Sequence, residues 1–155
     1  IEVVAMSSIR KATVDDASRI AEILIFNKRT NYRRIFNDDH GSFCELQVYP
    51  TAKKYMDNPE TLENIWVYED DFAKGMIHIE GDFIAELYVD TFFQNEHIGA
   101  KLIEFACEKN CKYLWVLEEN VRAISFYKRH GFELTDEKKY EDGYDVLLVK
   151  MQRDS

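Results

Sequence analysis

Apolar and polar residues alternate over SSIRKATV (7–14), which is the pattern of a strand. At TVDD the period changes. Thr13 is a capping residue type, Asp15 and Asp16 complement the positive end of a helix dipole, and Ala17, Ile20, Ala21 and Leu24 recur at helical spacing. That predicts a first helix over 14–27. Residues 28–37 read as a second helix or a bent extension, and a third helical stretch near 44–57 stops before NPE. Three strand patterns follow, NIWVYED (64–70), FAKGMIHIEG (72–81) and FIAELYVD (83–90), with tight turns at Asp70–Asp71 and Gly81–Asp82. They predict an antiparallel meander. Ile98, Leu102, Phe105 and Ala106 form one apolar stripe, so 98–110 is a helix. KYLWVLEE (112–119) is a strand. Asn120 is a good cap for the next helix, whose inward face is Ala123, Phe126 and Tyr127 and which His130–Gly131 ends. FELTDEKKY and YDVLLVKM are strands joined at EDG, a hairpin signal.

This order predicts an α/β (α+β) fold, a mixed and mostly antiparallel sheet with helices on both faces. The strand–helix–strand unit in the middle should be its parallel part, because a helical crossover returns the chain in the same direction. The 155 residues suit one domain spanning 1–155. Residues 1–6 are expected to be disordered. Met6 reads either as a start codon preceded by extra residues or as an internal residue, and the sequence leaves both open.

Composition narrows the function. Twenty basic against 29 acidic residues leave a net charge of -9, which argues against nucleic acid and against an anionic membrane as partners. It favours a cationic partner or substrate, or serves solubility alone. The basic cluster NKRTNYRR (27–34) reads as an anion holder or a solvated helix face. No apolar run is long enough for a membrane span, and IEVVAM lacks the basic start of a signal peptide. Cys44, Cys107 and Cys111 show no disulfide spacing and read as reduced thiols, so a cytoplasmic location is expected. No metal is expected, since Cys107 and Cys111 have no paired His nearby and His40 in NDDHG fits a turn. The aromatics Tyr32, Phe36, Phe43, Tyr49 and Tyr55 are expected mostly in the core.

The stretch FFQNEHIGAKL (92–102) lies between a strand and a helix. A helix that starts there presents amides without helical partners and about half a positive charge, enough to bind a phosphate with no basic side chain. By itself the stretch is either such a cradle or a simple turn.

Two motifs give that stretch a context. It resembles the pyrophosphate loop of the GNAT acyltransferases, the GCN5-related N-acetyltransferase superfamily, whose pattern is Gln/Arg-x-x-Gly-x-Gly/Ala after a strand ending in Val. Gln94 holds the first position, Gly99 the last, and Val89 ends the strand five residues earlier. His97 replaces the first Gly, which is tolerable if its φ is helical and its side chain points out. LWVLEENVRAISFYKRHGFE (114–133) is similar to the family's other signature, with Asn120, Ala123, Phe126, Tyr127, Gly131 and Phe132 all matching.

The resemblance implies an acetyl-CoA-dependent N-acetyltransferase that acts on a primary amine of a small molecule or protein; a homodimer is compatible with it. Acetyl-CoA is the implied cosubstrate. The fourth and fifth strands, 83–90 and 112–119, would splay and hold the thioester arm. Leu87, Tyr88 and Val89 lie along it, the amides of His97, Ile98, Gly99, Ala100 and Lys101 hold the pyrophosphate behind Gln94, and Asn120 and Tyr127 complete the cosubstrate contacts. Tyr127 is the implied proton donor to the leaving sulfur, or else a core-packing residue; Glu86 is the candidate base, directly or through water, or else a substrate-binding or structural ion-pair residue. Alternation puts Leu87 and Val89 on one side and Glu86 and Tyr88 on the other. A strand in a sheet covered on both faces makes Glu86 conspicuous, because a buried carboxylate is costly unless paired or functional. His78 and His130 are further titratable groups, the latter at a helix end where positive charge is favoured. The rival reading is a CoA-binding regulatory module on the same fold: His97 favours it, while Tyr127 and Asn120 favour the enzyme.

Overall fold

In a computed structural model, residues 8–154 are described. The expectation for residues 1–6 lies outside them. Among the described residues, seven strands form one mixed sheet in the order β1-β2-β3-β4-β5-β7-β6. The strands are β1 (Ser8–Lys11), β2 (Ile65–Asp70), β3 (Phe72–Glu80), β4 (Phe83–Val89), β5 (Tyr113–Leu117), β6 (Glu133–Tyr140) and β7 (Leu147–Gln152). The helices are α1 (Ala17–Asn31), α2 (Val48–Asp57), α3 (Ile98–Glu108) and α4 (Val121–Arg129). Contacts group the chain into two compact units. One runs to His78 and resumes over Glu86–Leu102; the other comprises Ile79–Ala85 and the chain from Ile103 onward.

In the first unit, β1–β2 and β2–β3 are antiparallel, and Asp71 alone turns β2 into β3 with a φ of 73°. A single 3-10 turn, Val14–Asp16, leads into α1. There the carboxylate of Asp16 accepts from the Thr13 amide at 2.8 Å and takes two guanidinium bonds from Arg10, both 2.8 Å. Residues 28–37 extend the first helix: α1 runs to Asn31 and loosens into a π-helical turn, Tyr32–Phe36, which ends on Asn37 in the left-handed region. The stretch near 44–57 divides into a second π-helical turn, Gly41–Glu45, and α2. Arg29 ties this region together by donating to the carbonyls of Ser42 and Leu46, both at 2.9 Å.

The core of this unit is Ile20, Ile23, Leu24 and Ile25 of α1 against Ile65, Val67, Ala73 and Met76 of the sheet, with Leu62 beside them. Tyr55 and Tyr88 pack on it. Of the aromatics expected in the core, Phe43 and Tyr49 are exposed instead. The guanidinium groups of Arg29 and Arg33 lie 5.6 and 5.9 Å from the centre of the Phe43 ring, and Tyr49 sits in the first turn of α2. Gly75 precedes Met76, so the two face opposite sides of β3. A Cβ at Gly75 would lie 3.0 Å from both Ile98 and Leu102, so the start of α3 packs closely on the face opposite α1. Helices thus cover both faces here.

In the second unit, β4 and β5 pair in parallel at Phe83↔Tyr113 and Ile84↔Leu114, as the helical crossover requires, and β5–β7 and β6–β7 are antiparallel. Asn120 caps α4 by accepting from the Ala123 amide at 3.2 Å, and Gly131 follows the helix with a φ of 90°. Phe132, Leu114, Val149 and Met151 are buried. The three cysteines are free thiols. Burial pushes the buried Cys111 thiol up to about 11.

Candidate active site

The first part of the site is backbone. After β4, Asp90 accepts from the Phe92 amide at 2.8 Å and opens a short 3-10 turn. The chain then passes through Asn95 (φ 67°) and His97 (φ 64°) before α3 begins at Ile98. The first helical bond runs from the Lys101 amide to the His97 carbonyl at 3.1 Å. The amides of Ile98, Gly99 and Ala100 therefore have no acceptor within the helix, and they stand at the positive end of an eleven-residue dipole. An anion's oxygens suit such a row of donors.

His97 corrects one expectation. Its φ is left-handed, not helical. The residue stands where the family pattern has Gly, and it adopts a conformation that Gly adopts without cost. Histidine is among the residues that enter this region more readily than most. Its side chain is exposed.

Lys101 is also exposed, but it leans back. Its Nζ lies 3.4 Å from the Tyr68 hydroxyl and 5.4 Å from that ring's centre.

The strand before the loop divides its groups by alternation. The Asp90 amide donates to the Lys74 carbonyl of β3 at 2.8 Å. The backbone groups of Tyr88 therefore face β3, while those of Leu87 and Val89 turn to the other edge. There the Val89 carbonyl already accepts from Asn27 Nδ2 at 2.9 Å. The ring of Tyr88 packs on the core beneath α1, so Tyr88 is committed to the fold on both counts.

Glu86 shares that face of β4, and two charged partners hold it. Lys28 Nζ of α1 lies 3.6 Å from one carboxylate oxygen, and His78 Nδ1 of β3 lies 3.7 Å from the other. These are ion-pair distances, longer than hydrogen bonds. The Glu86 and His78 side chains are 21% and 23% exposed, so water reaches both. Tyr55 of α2 completes the group: burial, and then the charge of Glu86, push its phenol up to about 12.

Sequence reading picked out Glu86 and His78 separately but missed Lys28 and Tyr55 as their neighbours. A signal for Lys28 existed. It continues the core-facing stripe Ile20–Leu24 by one more turn, so it points inward from the basic cluster. The rest of that cluster is structural or exposed, with Arg33 paired to Asp39 at 3.0 Å.

Beside the start of the loop lies a cavity of about 550 Å³ with Phe26, Phe72, Phe92 and Phe93 in its lining. The Arg19–Asp90 ion pair, at 2.9 Å, contributes to the same lining. This apolar feature was not foreseen.

In the second unit, Tyr127 projects from α4, half-buried, edge-on to Phe126 at 5.2 Å and near Phe132 at 6.1 Å. Burial alone pushes its phenol up to about 12. It keeps its proton at any ordinary pH and can act as a donor. The Asn120 carboxamide oxygen is committed as the cap of α4.

Residues 61–134 match the model of the acetyltransferase (GNAT) domain. A 73-residue stretch is 41% identical to an uncharacterized N-acetyltransferase of Methanocaldococcus jannaschii, covering 43% of this chain and 30% of that protein. The chain thus spans less than a third of the length of this curated relative. Among solved structures, an N-acetyltransferase of Staphylococcus aureus Mu50 superposes with a TM-score of 0.71 at 16% identity, over 93% of this chain and 98% of the other. The PaiA N-acetyltransferase of Thermoplasma acidophilum, solved in complex with coenzyme A, gives 0.68 at 18% identity, over 95% and 99%. The fold is that of the GNAT N-acetyltransferases, and the domain match covers both motifs that first suggested this superfamily.

Proposed function

We propose that this protein transfers an acetyl group from acetyl-CoA to a primary amine of a small molecule or protein, in the cytoplasm. The observation that carries this reading is the start of α3, where three amides without helical acceptors follow a strand whose next residues are the family's loop motif.

The amides of Ile98, Gly99 and Ala100, with that of His97 at the end of the row, would hold the pyrophosphate, and Gln94 would lie against it; the Lys101 amide, expected in the same row, is already engaged by the His97 carbonyl. The outward backbone groups of Leu87 and Val89 would pair with the pantetheine arm. Since the Val89 carbonyl is already engaged by Asn27, its amide is the group left to this role. Asn120 would contribute through its Nδ2, its oxygen being the cap.

The chemistry needs a neutral amine, a stabilised carbonyl oxygen and a protonated leaving group. Glu86 accepts a proton from the acceptor's ammonium. The freed nitrogen lone pair forms the C–N bond as the C–S bond of the thioester breaks, and the new amide nitrogen gives up its extra proton to water. Tyr127 donates a hydrogen bond to the departing sulfur. A phenol near 12 is a far weaker acid than an ordinary thiol at about 8.5, so full transfer of its proton would be uphill by about 5 kcal/mol. Tyr127 therefore steadies the thiolate, which takes its proton from water. The net reaction gives the N-acetyl product, CoA as a thiol, and one proton.

The alternative, a CoA-binding module without catalysis, is favoured by one observation, the His97 replacement in the loop. Thiol release on mixing acetyl-CoA with a broad panel of amines separates the two. Release with at least one amine supports the enzyme. Binding of CoA with no release from any amine supports the module.

A further inference from the structure

We infer that His78 acts through Glu86 as the group that gates entry of the acceptor amine, by switching the net charge around the carboxylate. This rests on the acetyltransferase reading above. Glu86 faces three titratable groups, one from each element packed on it: Lys28 from α1, Tyr55 from α2 and His78 from β3. Tyr55 is neutral at working pH, since its phenol titrates only near 12. On β3 the next titratable side chain on the His78 face is the exposed Glu80.

The charge count around Glu86 then has two states. With His78 neutral, the carboxylate and Lys28 balance, and one carboxylate oxygen faces an uncharged ring. With His78 protonated, both oxygens face cations 3.6 and 3.7 Å away, and the group carries a net positive charge. An approaching ammonium then meets repulsion, and a carboxylate flanked by two cations takes up its proton less readily. An ordinary imidazole changes charge near pH 6.5, within the range of working conditions. An ordinary ammonium and an ordinary carboxylate do not. His78 is thus a positioning residue that sets when Glu86 is available.

The test reads the slope of log kcat/KM for the amine against pH, at saturating acetyl-CoA. The acceptor arrives as its ammonium and hands its proton to Glu86, so between the ordinary ranges of a carboxylate and an amine the amine's protonation adds no slope. Protonation of His78 adds one unit, so the wild-type slope should break from zero to one at the imidazole's midpoint. That midpoint is measured independently by NMR of the ring in the wild-type protein. One pH unit below it, the wild type should fall about tenfold beneath the line extrapolated from higher pH. His78→Gln, checked for folding by circular dichroism, should keep a slope near zero across the same range. Glu86→Gln should lower the NMR midpoint, because the carboxylate that favours the charged ring is gone.

A wild-type profile with no break, or with a break away from the NMR midpoint, overturns the gate. So does a break that persists in His78→Gln, or an NMR midpoint that Glu86→Gln leaves in place. Any of these leaves the acetyltransferase reading intact. A wild-type protein that releases no thiol with any amine overturns that reading, and the gate with it.

Discussion

The loop before α3 and the cluster around Glu86 belong to the same unit, yet they are built on opposite principles. The loop works with backbone. Its donors are amides at a helix start, so what matters is where the chain turns, and residue identity counts only where φ is positive or a side chain would intrude. The cluster works with side chains. Lys28, Tyr55, His78 and Glu86 come from four elements, and no three of them are neighbours in sequence. Function of the first kind tolerates substitution and leaves a compact motif. Function of the second kind depends on each side chain and leaves almost no local trace.

The largest effect should come from the cluster. Glu86→Gln keeps the shape but removes the basic site, and loss of a general base costs about 100-fold or more in turnover. The variant should still bind CoA normally by calorimetry, since the loop is untouched. A variant with full turnover would make Glu86 a structural ion-pair partner and dissolve the contrast.

Next in size is a direct attack on the loop. Gly99→Asp puts a carboxylate among the amides. It should weaken CoA binding by about 10–100-fold, the worth of one or more charge-assisted hydrogen bonds. Titration calorimetry on a variant with native circular dichroism reads this. Unchanged affinity would mean that the pyrophosphate does not sit on these amides.

The same contrast explains what could be read from sequence. The start of α1 was legible because Asp15 and Asp16 announce it, and the end of α4 because Gly131 must take a positive φ. The loop was legible through Gln94 and Gly99, and the Asn120 cap through its place before the Ala123 amide. The break at 32–45 was not, since two π-helical turns have no periodicity of their own and depend on Arg29 reaching the Ser42 and Leu46 carbonyls. Lys28 hid inside a basic run. The left-handed φ of His97 contradicted the expectation because residue type alone does not report backbone shape.

A smaller effect tests how the cluster is linked to the fold. Tyr55 stays protonated in the folded protein up to about pH 12, against about 10 for an exposed tyrosine. Below pH 10 both states are neutral and the group costs nothing. From about 10 to 12 the unfolded chain ionises first, so stability is lost as pH rises through that window. Tyr55→Phe should make the fall in denaturant midpoint between pH 8 and pH 11 shallower. An identical fall in both proteins would show that Tyr55 ionises freely and is not held near Glu86.

The smallest effect returns to the loop and asks whether it is backbone alone. His97 holds a φ of 64°, which an L-residue adopts at a cost of about 1 kcal/mol and glycine adopts freely. Glycine also gives the unfolded chain more freedom, which offsets about 0.5 kcal/mol or more of that gain. His97→Gly should therefore stabilise the protein slightly, raising Tm by about 1–3 °C for a chain of this length. Affinity for CoA should change by less than about threefold, because the amides of Ile98, Gly99 and Ala100 keep their places. A lower Tm would mean that the exposed imidazole makes a contact worth more than the strain it sits in. A loss of CoA affinity beyond tenfold would mean that the imidazole itself holds the ligand. In that event the loop, like the Glu86 cluster, works through side chains, and the replacement of glycine by His97 is a gain of chemistry at the cradle.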